Sequence, residues 1–277
     1  MASGLEKARD GVALVGELIK LAGDDQRVKD AAGQLAEASL TISKAINNVL
    51  LPLAAINFAF DKAKKYFSER FAQDLSDKAK KIPGEFLVDP KLSIAGGALQ
   101  GLAFVHEDAA LRELFLNLIA TSMDSRKSRD AHPAFVEVIK QLDSQEAQFL
   151  IDFLVSSSSP LGPIASLRKK EGGGYVDIKR HVLNFIDSQT GLPQEVPGMT
   201  LMVENWVRLG LVEIQYGPVL GGGVKYDWIE SRPEFLSAKQ DSAHRKKIYW
   251  EKGFIRVTDF GMSFSRAIGI DRCAAEN

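Results

Sequence analysis

From Leu111 to Leu154 apolar residues return every three or four positions, and this spacing constrains the fold more than any other feature of the chain. Leu111, Leu114, Phe115, Leu118 and Ile119 make one stripe. Phe135, Val138, Ile139 and Leu142 make a second, and Ala147, Leu150, Ile151 and Leu154 a third. Such spacing places side chains on one face of a helix, so the stretch predicts consecutive amphipathic helices sharing a core. The punctuation agrees. Asp108 can cap the first helix, with Glu107 beside it to complement the dipole. Pro133 suits a first helical turn, where its missing N–H costs nothing. Asp143 with Glu146 resembles a capping box. The polar run Met123 to Asp130 is expected to stay out of the core.

Upstream, Gly96, Gly97 and Gly101 make Ile94 to Val105 a poor helix by propensity, each glycine costing about 1 kcal/mol against alanine. A helix there needs close packing to offset that cost. The alternative is a phosphate-binding loop, but G-G-A-L-Q-G lacks the Walker lysine and the spacing of a dinucleotide fingerprint. Packing is the favoured reading.

At 277 residues the chain can hold one large domain or two ordinary ones, and its net charge of −1 gives no bias toward polyanions. A single cysteine, Cys273, rules out an internal disulfide framework and suits a reducing cytoplasm. MASGLEKARD carries no basic region followed by an apolar run, so a secretory signal is not expected. No window approaches the roughly 20 apolar residues that span a bilayer.

Near the N-terminus, Leu5, Ala8, Val12, Val15, Ile19 and Ala22 form a heptad-like seam that Gly23-Asp24-Asp25 breaks. Val28, Ala31, Leu35, Ala38, Ile42, Ala45 and Val49 repeat it, with alanine at every second position. An antiparallel helical hairpin follows, packed within the monomer or used for self-association. From Pro52 to Lys81 aromatics interleave with lysines. A basic amphipathic helix here could lie on an anionic membrane through Phe58, Phe60, Lys64, Lys65 and Phe67, although Asp61, Glu69, Asp74 and Asp77 dilute its charge.

Ser156 to Ser159 with Pro160, Gly162 and Pro163 mark the clearest boundary. Three regions result: 1–82, a helical hairpin plus an amphipathic helix; 83–155, a central helical core; and 156–277, a smaller module. Within the last, the pattern predicts a helix over Val176 to Ile186 and another over Thr200 to Leu209. Strands are expected at Leu211 to Ile214, Lys225 to Glu230 and Phe254 to Thr258, a polar insertion at Ser231 to Lys247, and a final helix capped by Asp259. That order resembles a winged helix. The fold class expected is therefore mostly α, a helical bundle followed by a small winged-helix-like α+β module.

No arrangement of residues forms a convincing catalytic, cofactor or metal site, so a non-enzymatic protein without cofactors is expected. His106, Glu107 and Asp108 could form a metal corner, but they lack the i, i+4 ligand spacing of a helical zinc site, and capping explains the acidic pair. No G-x-S-x-G elbow occurs. For nucleic acid, the candidates are Asn205 and Arg208 on the expected reading helix and the run Arg245, Lys246 and Lys247. Glu204 opposes them, and the basic footprint is thin.

Several longer phrases carry a family resemblance: NVLLPLAAINFAFDKAKK from Asn48, IPGEFLVD from Ile82, ELFLNLIATSMDSR from Glu113 and AHPAFVEVIKQLDSQEAQFL from Ala131. They resemble the Abi-alpha family of phage abortive-infection systems, over roughly Ala45 to Leu154 and more loosely beyond. The resemblance implies a cytoplasmic bacterial protein of anti-phage defence, with no catalytic residues to carry over. Partner binding, or self-association through the N-terminal seams, is the mode of action expected.

Overall fold

The computed structural model describes residues 57–156, 161–187, 189–217, 226–240 and 248–270. The heptad-like seams, Arg245, Lys246, Lys247 and Cys273 lie outside the described residues. Packing divides the chain into a first unit, residues 1–152 with 263–277, and a second, residues 153–262.

The first unit is helical among its described residues. α1 (Asn57–Glu69) and α2 (Phe71–Ala79) are followed by a 3₁₀ turn at Gly84–Phe86, then α3 (Leu92–Val105), α4 (Ala109–Met123), α5 (Pro133–Lys140) and the start of α6 (Ser144–Ser156). The predicted stripes turn inward: Leu111, Leu114, Phe115, Leu118, Ile119, Phe135, Val138, Ile139, Leu142, Ala147, Leu150 and Leu154 are buried, and Ile151 alone of the third stripe is half-buried. The expected caps at Asp108 and Asp143 form, and His132 adds a further one. Asp108 accepts a hydrogen bond from Leu111 N at 3.1 Å, and His132 Nδ1 accepts one from Ala134 N at 3.1 Å, just ahead of Pro133. At α6, Glu146 N donates to Asp143 Oδ1 at 2.7 Å, and the reciprocal bond from Asp143 N to Glu146 Oε2 is longer, 3.4 Å.

The glycine-rich segment is a helix, and one of its glycines shows why. A Cβ on Gly101 would lie 2.8 Å from both Cε atoms of Phe115 and closer still to Cζ, so the bare backbone lets α4 press its ring against α3. Asp124, in the run expected to avoid the core, is buried at 4% exposure. Arg126 makes this tolerable, donating to both carboxylate oxygens at 2.9 and 2.6 Å while its guanidinium lies over the Phe86 ring.

The second unit mixes helix and sheet. β1 (Leu161–Glu171) and β2 (Gly174–Val182) form a hairpin, followed by α7 (Met199–Arg208), β3 (Val212–Tyr216), a 3₁₀ turn at Asp227–Ser231, α8 (Pro233–Gln240), β4 (Ile248–Val257) and α9 (Asp259–Ala267), where the chain returns to the first unit. The sheet is antiparallel, in the order β2-β1-β4-β3. The architecture is therefore mixed α and β, with a larger sheet than the expected module contains.

Three local expectations change here. Val176 to Ile186 was expected to be helical, but Gly174–Val182 is strand: Gly172 and Gly173, at φ 56° and 86°, close a tight hairpin, and Val176 and Ile178 suit a pleated edge. The strand expected at Lys225 to Glu230 gives way to the 3₁₀ turn, which buries Ile229 together with Tyr226, the residue just ahead of it. The polar insertion holds α8 and a buried Arg232, while Ile248 to Val257 runs as one unbroken strand.

Candidate functional site

The chemistry-bearing side chains of the second unit gather on one face of its sheet. Register places Arg168 of β1 opposite Asp177 of β2 on one side and Tyr249 of β4 on the other. Arg168 stands between two carboxylates: Nε lies 2.8 Å from Asp177 Oδ1, and Nη1 donates to Glu251 Oε2 at 2.6 Å. Its guanidinium also lies over the Tyr175 ring, which meets Tyr249 edge-on at a centroid separation of 4.8 Å. Arg180 extends the network, with Nη1 2.8 Å from Glu204 on α7.

At the other end of this network sits His181, the one non-glycine residue with positive φ among the described residues, at 55°. It falls where the β1–β2 register shifts between Ala165 and Leu167, an irregularity that re-aims a side chain. The ring is 3% exposed, and both nitrogens are engaged. Nε2 lies 2.9 Å from Glu204 Oε1 and Nδ1 3.0 Å from the Tyr216 hydroxyl, which also accepts the His181 backbone N–H at 3.2 Å. A carboxylate can only accept, so Nε2 carries the proton and Nδ1 accepts from Tyr216. Burial pushes the His181 pKa below its ordinary 6.5, outweighing the pull of Glu204, while the hydrogen bond from His181 lowers that of Glu204. Burial raises the Tyr216 hydroxyl to about 12, so it remains a donor.

Gly253 makes the reach of Tyr216 feasible. It is the β4 partner of Tyr216, and a Cβ there would lie 2.8 Å from Tyr216 Cδ1. The tyrosine thus crosses β4 over bare backbone.

A second buried charge fixes the chain around this face. Arg232 is 1% exposed and donates Nη1 to the Phe185 carbonyl and Nη2 to that of Gln194, each at 2.7 Å. Nε and Nη2 also reach the Glu234 carboxylate at 3.1 and 2.9 Å. The guanidinium ties the segment entering α8 to both sides of the loop after β2.

The residues singled out from sequence are placed as follows. Asn205 and Arg208 lie together on α7, where Arg208 donates Nε and Nη2 to Asn205 Oδ1 at 3.1 and 2.6 Å. Lys64 and Lys65 of α1 are exposed, but Phe67 is 8% exposed and packs edge-on to Phe71, since its apolar spacing faces the core. Phe58 and Phe60 belong to the same helix. The corner at His106 diverges: Glu107 takes Lys62, Asp108 caps α4, and the imidazole stacks on Tyr66. Among the described residues no group of three His, Cys, Asp or Glu is placed to hold a metal ion, and no helix is long and apolar enough to cross a membrane. Sequence reasoning missed Asp177, His181, Tyr216 and Glu251 as one cluster. The glycine run 172–174 was the signal that could have shown the hairpin.

Most ionisable groups of the cluster pair with one another, while Arg168 Nε and the Tyr249 hydroxyl are buried without a hydrogen-bond partner. Beside it the edge strand β2 exposes Tyr175, Val176 and Ile178, at 56, 48 and 45%. A family model described as abortive infection alpha matches residues 63–268. No curated protein and no solved structure matches the chain.

Proposed function

Because the chain belongs to the abortive infection alpha family, we propose that it is a bacterial anti-phage defence protein acting in the cytoplasm by binding a protein partner, without catalysis of its own. The family match carries this reading. It runs from residue 63 to 268 and so draws on both units rather than on one detachable half.

The sheet face supports binding over chemistry. A general base needs a free nitrogen within reach of its substrate, and both nitrogens of His181 are held inside the protein. A protein partner is favoured over nucleic acid by charge. Arg168, Lys169, Lys179, Arg180 and Arg256 each pair with a carboxylate, which leaves them poorly placed to neutralise phosphates. On the face of β2 opposite Asp177, Val176 and Ile178 are exposed apolar residues of the kind protein interfaces bury.

Plating diverse phages on a susceptible bacterium expressing the chain tests the reading. The wild-type protein should lower plaque counts. Val176→Lys and Ile178→Lys, at exposed positions, should abolish that effect while leaving the unfolding midpoint unchanged. Unchanged plaque counts and cell survival with the wild type would refute the defence role. Full protection by both lysine variants would remove β2 as the contact, and a mobility shift of nucleic acid that weakens steeply with salt would replace the protein partner.

A further inference from the structure

β2 is an edge strand: β1 lies on one side, and among the described residues no strand lies on the other. Edge strands are usually blunted by lysine, by proline or by cover. From Gly174 to Ile178 every residue is exposed, so neither face is covered there, and GYVDI holds no lysine or proline. At the opposite edge β3 alternates from a buried Val212, as a strand with one covered face does.

The hairpin fixes which backbone groups are free. Gly172 and Gly173, both at positive φ, make a two-residue turn closed by Glu171 and Gly174. A closing pair of this kind exchanges hydrogen bonds, and bonded and non-bonded pairs alternate down an antiparallel ladder. Lys169–Val176 therefore bonds within the hairpin, whereas the N–H and C=O of Tyr175 and Asp177 point to the open edge. Beyond them the register shifts at Ile178, a bulge that ends the regular edge. The free stretch, Gly174 to Ile178, is thus centred on Val176, with its outward bonding groups placed evenly on either side.

Resting on the reading of β2 as the contact surface, we propose that the partner is a second copy of this chain, its β2 paired antiparallel with the first about a two-fold axis through Val176. Tyr175 and the Asp177 of the other copy then exchange both backbone hydrogen bonds, and symmetry repeats the exchange. Val176 meets Val176 across the axis, and Ile178 lies opposite Gly174, which leaves it room. A register that set Asp177 against its own copy would oppose two carboxylates. Here each Asp177 faces a tyrosine and keeps its own Arg168. So short a stretch falls far below the roughly 20–30 residues a side of a standard interface, which makes the pairing weak and concentration-dependent.

Cysteine trapping in the full chain tests this. In a Cys273→Ser background, Val176→Cys is oxidised mildly and run without reductant. A non-bonded antiparallel pair brings Cα atoms to about 4.5 Å, inside the roughly 7 Å that a disulfide can span. Ile178→Cys is the control: it is nearly as exposed, 45% against 48%, but the register holds it about 14 Å along the strand from its own copy. Val176→Cys should link two chains at least about tenfold faster than Ile178→Cys, and faster at higher protein concentration. Adding Tyr175→Pro, which removes an N–H that β1 does not use, should abolish the link. Adding Tyr175→Ala, which keeps that N–H, should not, with far-UV circular dichroism checking that both keep the fold. No link from Val176→Cys, equal linking by Ile178→Cys, or a link that survives Tyr175→Pro would each overturn the proposal. Loss of phage protection in Val176→Lys alongside any of these would leave β2 as the contact for a different protein. A link that obeys every control, with full protection in Val176→Lys, would keep the pairing and remove its role in defence.

Discussion

Replacing Gly101 by alanine should destabilise the first unit, although alanine is the better helix former. Gly→Ala in a helix interior gains about 1 kcal/mol from propensity. At Gly101 the new methyl would sit 2.8 Å from two ring carbons of Phe115 and nearer to a third, on a ring that is 1% exposed and has nowhere open to swing. Overpacking of this kind costs about 1–3 kcal/mol. With three ring atoms overlapped the upper end applies, leaving a net loss of about 2 kcal/mol after the propensity gain. For a unit of this size that lowers the melting temperature by about 4–8 °C.

Gly96 provides the contrast within the same helix. A Cβ there meets nothing within 4 Å, so Gly96→Ala should be neutral to stabilising by up to about 1 kcal/mol. Urea unfolding followed by far-UV circular dichroism reads both variants, and Phe115→Leu should recover part of the Gly101→Ala loss, a non-additivity expected of touching residues. Gly101→Ala as stable as the wild type, or no coupling with Phe115, would refute the close-packing account of this helix.

Arg232→Met should cost about 3–5 kcal/mol, because it strands the Glu234 carboxylate, 7% exposed, together with two backbone carbonyls; a urea midpoint close to that of the wild type would contradict the clamp. Asp143→Ala should cost about 1 kcal/mol by opening the capping box of α6, read as a lower midpoint with an unchanged slope. His181→Asn should flatten the pH dependence of stability. With the folded pKa below the ordinary 6.5, the unfolded chain takes up the proton first, so wild-type stability is fully present above 6.5 and falls as pH drops below it. The asparagine variant, whose side chain tolerates the positive φ, should lose that slope between pH 6.5 and 4.5, above the range in which Glu204 titrates; an unchanged slope would show that His181 is not the group responsible.

Legibility from sequence followed the range of the interaction. The caps at Asp108 and Asp143 bond within three residues of themselves and were readable from their neighbours, whereas at α5 only Pro133 was readable and the His132 cap was not. The hairpin at Gly172 and Gly173 had a local signal as well, yet Val176 to Ile186 was given to a helix because apolar residues in a short segment satisfy either period. Phe67 shows the same ambiguity on a helix: interleaved lysines suggested a surface, and the three-and-four spacing with Phe71 decided for the core.

The polar cluster had no local signature. Arg168 and Glu251 are separated by 83 positions, His181 and Tyr216 by 35, and only strand register joins them. That register depends on hydrogen bonds between distant backbones and on Gly253, whose missing side chain lets Tyr216 cross β4. By itself the sequence determined the inward-facing helices from Leu111 to Leu154, their capped starts and the family to which the chain belongs, because periodicity and caps are properties of neighbouring residues. Tertiary structure alone decided which acids meet which bases on the sheet, and that Arg232 and Asp124 could be buried, because desolvating a charge is tolerated only where folding delivers its partner.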